Sequence, residues 1–145
     1  MRAPYTQLYL HLVWATWDRY PYLSPELQRR VYECIQAECV AVDVDVLAIG
    51  GVEDHVHLLV RIPATVSVAD LAKRVKGAST HMVNHDVRPP FYFKWQGGYG
   101  AFTVSKRHVP MICDYVLRQA EHHRDSRVYP ILEPPPIAAA DRPRE

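Results

Sequence analysis

The sequence predicts an α+β fold, a ferredoxin-like split β-α-β arrangement with an antiparallel sheet, helices on one face and a further helix added towards the C-terminal end. Three observations predict it. Period-two alternation recurs in separated runs, at Leu8, Leu10, Leu12 and Trp14 and again at Val44, Val46 and Ala48. Serine caps precede two stretches of helical period, Ser24 with Pro25 behind it and Ser67. The resulting order, strand, helix, strand, strand, helix, strand, is that of the split β-α-β motif.

The first strand is expected over residues 5–14, where the leucines and Trp14 alternate with Tyr9, His11 and Val13. After a polar turn at Asp18-Arg19-Tyr20-Pro21 the first helix runs from Pro25 to about Val40, with Leu27, Val31, Cys34 and Ile35 as its inner stripe. Glu38 falls on the same stripe, so the helix should emerge into water there. Residues 43–50 and 55–62 read as a hairpin interrupted by Gly50-Gly51 and Glu53-Asp54 and closed by Pro63. The second helix extends from Ser67 to about Asn84, and Pro89-Pro90 shuts it off.

Residues 91–95 and 99–104 are short aromatic and β-branched segments around Gly97-Gly98, read as a last strand with a break. A third helix is expected over about 106–123; Pro110 sits badly in it if Ser105 is the cap. Its apolar stripe is Val109, Ile112, Cys113, Val116, Leu117 and Ala120. From Tyr129 the prolines argue for an extended tail, giving a domain over 1–128 and a proline-rich tail over 129–145.

Composition sets the bounds. With 145 residues, 48% hydrophobic and 23% charged, one compact domain is expected. There is no apolar run of about 18 residues and the first residues turn polar at once, so neither a membrane span nor a signal peptide is expected, and a cytoplasmic location follows. Cys34, Cys39 and Cys113 lack zinc-ribbon or Cys-x-x-Cys spacing and read as packed thiols. A net charge of +1 does not announce a nucleic-acid binder. Basic residues nevertheless gather locally, at Lys73, Arg74 and Lys76 and at Lys106, Arg107, Arg118, Arg124 and Arg127, while Glu133, Asp141 and Glu145 in the tail balance them.

Two features carry chemistry. His55 and His57 stand at i and i+2 of a strand, so both imidazoles point the same way with Cα atoms roughly 6.6 Å apart, close enough to converge on one cation. The same pattern is common on exposed strand faces, so other residues must decide. Tyr115 and Gln119 stand at i and i+4 of the last helix, on one flank of its apolar stripe, with Cβ atoms about 6 Å apart.

His55-Val56-His57-Leu58-Leu59, the segment from Trp95-Gln96-Gly97-Gly98 to Thr103-Val104-Ser105, and Tyr115 through Gln119 to Glu121-His122-His123 resemble the single-tyrosine transposases of the smallest bacterial insertion sequences, within the HUH nuclease superfamily. The resemblance covers roughly residues 5–125 and rests on three separated motifs in the right order. It implies that His55 and His57 bind a divalent metal, that Gln119 completes the metal site and that Tyr115 is the nucleophile. The implied cofactor is Mg2+ or Mn2+; bare ligand chemistry also allows later divalent metals. The implied substrate is single-stranded DNA with hairpins, cleaved and rejoined through a 5′-phosphotyrosine link, and the implied assembly is a homodimer that can share its active sites.

The chemistry requires such a set independently, because a phenol with a pKa near 10 is a weak nucleophile at neutral pH, and two imidazoles with one amide oxygen leave positions open on a cation for phosphate and water. Glu53 and Asp54 adjoin the histidines and are candidate further ligands. The other histidines, His11 included, read as structural, surface or phosphate-contacting. Rival readings are a domesticated relative acting on chromosomal repeat hairpins, a non-catalytic nucleic-acid-binding module of the same fold, and a phosphodiesterase that uses water with Tyr115 incidental.

Overall fold

In the computed structural model, which describes residues 4–119 and 132–133, four antiparallel strands stand in the order β2-β3-β1-β4. They are β1 (Leu8–Ala15), β2 (Asp45–Val52), β3 (His55–Ile62) and β4 (Gly100–Val104). Helices α1 (Pro25–Ala41) and α2 (Val68–Met82) connect them in the split β-α-β manner, and α3 (Val109–Leu117) follows β4. This is the expected fold. The central strands β1 and β3 pair along their whole length, from Leu8 opposite Ile62 to Ala15 opposite His55. Pairing stops there because Pro63 follows Ile62; Tyr5 to Gln7, expected inside the strand, lie before it, with Tyr5 82% exposed.

Alternation along β1 and β3 sorts their side chains onto two faces. Leu10, Leu12, Trp14, Val56, Leu58 and Val60 pack against Leu27, Val31 and Ile35 of α1 and Leu71 and Val75 of α2. The opposite parity puts His11, His55, His57 and Leu59 on the other face, where Ile112 and Val116 of α3 pack with Leu59 and Ala48. Both faces of the sheet centre are thus covered, which is why β3 is buried at nearly every position.

The helix starts follow their caps. Ser24 accepts from Leu27 N–H at 3.3 Å and Ser67 from Asp70 N–H at 3.1 Å, each quieting one of the amides that a helix start leaves without a partner. α1 does not emerge into water at Glu38; that carboxylate takes Arg74 Nε of α2 at 2.7 Å, and Cys39 beyond it is fully buried. After α2 a short π turn, Val83–Val87, ends on Arg88 in the left-handed region at φ 53°.

Three expectations are corrected. Gly50 and Gly51 do not break the hairpin: they lie inside β2, opposite His57 and Val56, and the turn is Glu53-Asp54 alone. Gly50 is needed because a Cβ there would stand 2.1 Å from the Val116 carbonyl oxygen, so α3 rests directly on the strand backbone. Residues 91–95 are not a strand beyond a single bridge between Trp95 and Thr16. Asn84 instead satisfies Phe93, accepting its N–H and donating to its carbonyl, both at 2.8 Å, while Phe93 and Trp95 are anchored in the core and the Trp95 indole N–H donates to Ser79 Oγ at 2.9 Å. Finally, α3 begins at Val109, which puts Pro110 in its first turn where no amide partner is lost. Ser105 leads a separate 3-10 turn, Lys106–His108, and its hydroxyl meets His108 Nδ1 at 2.6 Å.

Leu117, expected in the apolar stripe, is 62% exposed. Ala120, the continuation of the last helix to His123, Arg124, Arg127 and the tail apart from Leu132 and Glu133 lie outside the described residues. All three cysteines are free, as expected. Among the described residues no helix is long and apolar enough to cross a membrane.

The contact between α3 and Gly50 yields a direct expectation. Gly50→Ala forces the helix off the strand and lowers stability by about 1–3 kcal/mol, read as a lower urea midpoint at unchanged m-value. An unchanged midpoint would mean that α3 does not rest on β2 in solution.

Candidate metal centre and active site

β3 delivers His55 and His57 to the α3 side of the sheet, both with no exposed surface. Each ring is held from behind. His55 Nδ1 meets Asp54 Oδ1 at 2.7 Å, and the other Asp54 oxygen accepts from Arg19 Nε at 3.1 Å. His57 Nδ1 meets Nε2 of the buried His11 at 2.8 Å, their rings stacked with centroids 5.0 Å apart. With Nδ1 of each ring so engaged, Nε2 is the nitrogen that each ring turns into the site. His11 Nδ1 is then buried without a partner among the described residues.

Electrostatics follow from this packing. Burial, aided by the nearby His57, pushes the His11 pKa down to about 3, so His11 is a neutral partner at ordinary pH. Burial would also lower His55, but the Asp54 and Glu133 carboxylates outweigh it and raise its pKa above the ordinary value. Asp54 behaves conversely: burial opposes its charge, and the bonds from His55 and Arg19 still hold its pKa below the usual range.

α3 and the residues just after it supply the other half. Gln119, 1% exposed, places Oε1 3.3 Å from His55 Nε2, and its amide donates to the Tyr115 carbonyl at 3.0 Å, which fixes which end faces the histidines. Tyr115, 2% exposed, stands edge-on to His57 with ring centroids 5.8 Å apart. All four residues singled out from the sequence therefore meet in one place, and within one chain.

A fifth arrives unannounced. The Tyr115 hydroxyl donates to Glu133 Oε1 at 2.6 Å, and Glu133 Oε2 lies 3.0 Å from His57 Nε2 and 3.2 Å from His55 Nε2. In the sequence Glu133 is only an acid among prolines, with no period or spacing to mark it. His11 carried a usable signal, a polar residue in mid-strand between buried Leu10 and Leu12. Asp54 orients His55 from Nδ1 and does not join the inner set, and Glu53 is exposed in the turn.

The donor atoms suit a divalent cation. Ligands of an octahedral ion bonded at about 2.1 Å stand about 3.0 Å apart, close to the 3.0, 3.2 and 3.3 Å separations found among His57 Nε2, His55 Nε2, Glu133 Oε2 and Gln119 Oε1. Two imidazoles with amide and carboxylate oxygens accept magnesium or manganese and also the later divalent metals.

Residues 4–119 match the family described as Transposase IS200 like. Two relatives, transposases for insertion sequence element IS200 from Salmonella typhimurium and Salmonella typhi, are each 29% identical over 120 residues, covering 79% of this chain and 78% of theirs. A solved structure from Deinococcus radiodurans described as a transposase superimposes with a TM-score of 0.65 at 26% identity, over 80% of this chain and 93% of that one. A REP-associated tyrosine transposase bound to a REP hairpin shares the fold, with a TM-score of 0.61 at 15% identity, over 100% of this chain and 97% of that one.

Asp54→Asn tests the hold on His55. It should weaken Mn2+ binding about 10–100-fold in calorimetric titration, with the circular dichroism spectrum unchanged. Because a proton competes with the cation for His55 Nε2 and the His55 pKa is raised above 6.5, affinity in the unsubstituted protein should fall as pH drops through a value above that. In Asp54→Asn the fall should move to lower pH. Equal affinities and equal pH profiles would leave Asp54 without this role.

Proposed function

Since the chain belongs to the IS200-like transposase family, we propose that it cleaves and rejoins single-stranded DNA at hairpin-flanked element ends through a 5′-phosphotyrosine link, with Tyr115 as nucleophile. The observation that carries this reading is that Tyr115 stands edge-on to His57 with its hydroxyl joined through Glu133 to the Nε2 atoms of both histidines, while Gln119 Oε1 lies beside His55 Nε2. A buried tyrosine that only filled the core would not need its hydroxyl tied through a carboxylate to two imidazoles held by Asp54 and His11.

His55, His57 and Gln119 would hold the metal, Mg2+ or Mn2+ in this reading, which when bound supplies positive charge to an oxygen of the scissile phosphate. Tyr115 Oη forms a bond to phosphorus as the bond from phosphorus to the 3′ oxygen breaks. The phenol gives up its proton, and the departing oxygen takes one to become a 3′-hydroxyl. The phosphotyrosine conserves the energy of the broken bond, so the 3′-hydroxyl of another strand can attack it later without nucleotide hydrolysis. The close packing of Tyr115 and Gln119 against the histidines keeps bulk water from competing with the phenol.

Phosphates flanking the cleaved one need cationic surface. In α2, Lys76 donates to the carbonyls of Gln96 and Gly98 at 2.9 and 2.8 Å, and Arg74 pairs with Glu38. These two are occupied in holding the fold, and Lys73 lies on α2 across the sheet from the site, so the exposed Lys106 and Arg107, just before α3, are the better DNA contacts. A hairpin is the natural probe, given the hairpin bound by the fold neighbour. A homodimer belongs to the same proposal. It would set two sites side by side, and exchange of α3 between subunits is not required by the chemistry because each chain brings its own Tyr115 to its own histidines.

Incubation of the protein with labelled hairpin-bearing single-stranded DNA and Mn2+ should give a covalent adduct that survives denaturation, vanishes in Tyr115→Phe and drops to background in His57→Ala. Cleavage that persists in Tyr115→Phe without an adduct would instead assign the attack to water.

A further inference from the structure

Glu133 stands in the site without a part in the strand transfer described above. Its side chain is 13% exposed, and its two oxygens divide their contacts. Oε2 lies at 3.0 and 3.2 Å from the Nε2 atoms of His57 and His55, where a cation's ligand would sit. Oε1 accepts the Tyr115 hydroxyl at 2.6 Å. The carboxylate is therefore an anionic bridge running from the coordinating nitrogens to the nucleophile.

A scissile phosphodiester must make the same two engagements. One of its unesterified oxygens has to lie beside the cation held by His55, His57 and Gln119, and its phosphorus has to lie within reach of Tyr115 Oη. Carboxylate and phosphodiester each present an anionic pair of oxygens on one central atom, and one such group, that of Glu133, spans from the histidine Nε2 atoms to the Tyr115 hydroxyl. We propose that Glu133 is a fourth ligand of the active-site cation and that it occupies the place of the scissile phosphate, so DNA must displace it before Tyr115 can attack. The inference rests on the strand-transfer reading of Tyr115, and it sets two properties in opposition: Glu133 strengthens metal binding and weakens DNA binding. If Glu133 served instead to accept the tyrosine proton during attack, removing it would slow cleavage and leave DNA affinity unimproved.

The test uses the full chain and separates the two halves. Mn2+ is titrated calorimetrically, without DNA, into the unsubstituted protein, Glu133→Gln, Glu133→Ala and His57→Ala. Binding of hairpin-bearing single-stranded DNA at saturating Mn2+ is then measured in a Tyr115→Phe background with and without Glu133→Gln. Loss of a partner outside the ligand set costs about 10–100-fold in affinity, so loss of the ligand should cost at least about tenfold in Glu133→Ala, and loss of its charge alone should cost less in Glu133→Gln, whose amide oxygen still coordinates. DNA affinity should rise about tenfold in Glu133→Gln. Manganese affinity unchanged in both Glu133 variants but lost in His57→Ala overturns this inference alone, as does DNA binding that stays equal or weakens. Manganese affinity unaffected by His57→Ala overturns the reading beneath it as well.

Discussion

Two hydrogen bonds made behind the imidazoles, His55 Nδ1 to Asp54 at 2.7 Å and His57 Nδ1 to His11 at 2.8 Å, decide which nitrogen of each ring can serve a cation. Without them the rings could turn or present the other tautomer, and the inner cluster would lose its geometry. The histidines are wholly buried, so their polar atoms must be satisfied inside the protein or cost several kcal/mol in lost hydration. The structure meets that demand differently on the two sides. Asp54, itself tied to Arg19, gives His55 a charged partner; His11, kept neutral by burial, gives His57 an uncharged one. The two imidazoles therefore have partners of unlike charge although one strand delivers both.

The other half of the site depends on how closely α3 approaches the sheet. Gly50 lies opposite His57 in the β2-β3 ladder and directly beneath the Val116 carbonyl. The missing side chain lets the helix backbone settle on the strand, and that depth brings Tyr115 and Gln119 to the histidines instead of above them. Ile112 and Val116, packed on Leu59 and Ala48, hold the helix there. Sheet pleat, a glycine and a short apolar stripe thus set the distance between Tyr115 and the histidine pair. The same face of the sheet that would otherwise be solvated becomes the floor of the site.

Features governed by local rules were legible in the sequence. Strand alternation, the Ser24 and Ser67 caps and the proline stops gave the element order, and parity alone put His55 and His57 on one face. The i, i+4 spacing likewise put Tyr115 and Gln119 together. Features governed by long-range contact were not legible. Phe91 to Trp95 has strand composition, yet its aromatic rings are wanted by the core while Asn84 satisfies the backbone of Phe93. Gly50-Gly51 looks like a turn because nothing local announces the helix that lies on Gly50. Leu117 fits the apolar stripe by angle and is exposed nonetheless, because the helix turns Ile112, Tyr115 and Val116 inward instead. Glu133 reaches the site from a proline-rich stretch in which no periodicity exists to be read.

Between β3 and α3 there would then be one cation site, with the Nε2 atoms of His55 and His57 as its inner donors. Anomalous diffraction at the manganese edge from Mn2+-soaked crystals measures it most directly. A single strong peak is expected about 2.0–2.3 Å from both Nε2 atoms and from Gln119 Oε1. A peak on the Nδ1 side of either ring, or none between β3 and α3 in a crystal that holds manganese elsewhere, would contradict it.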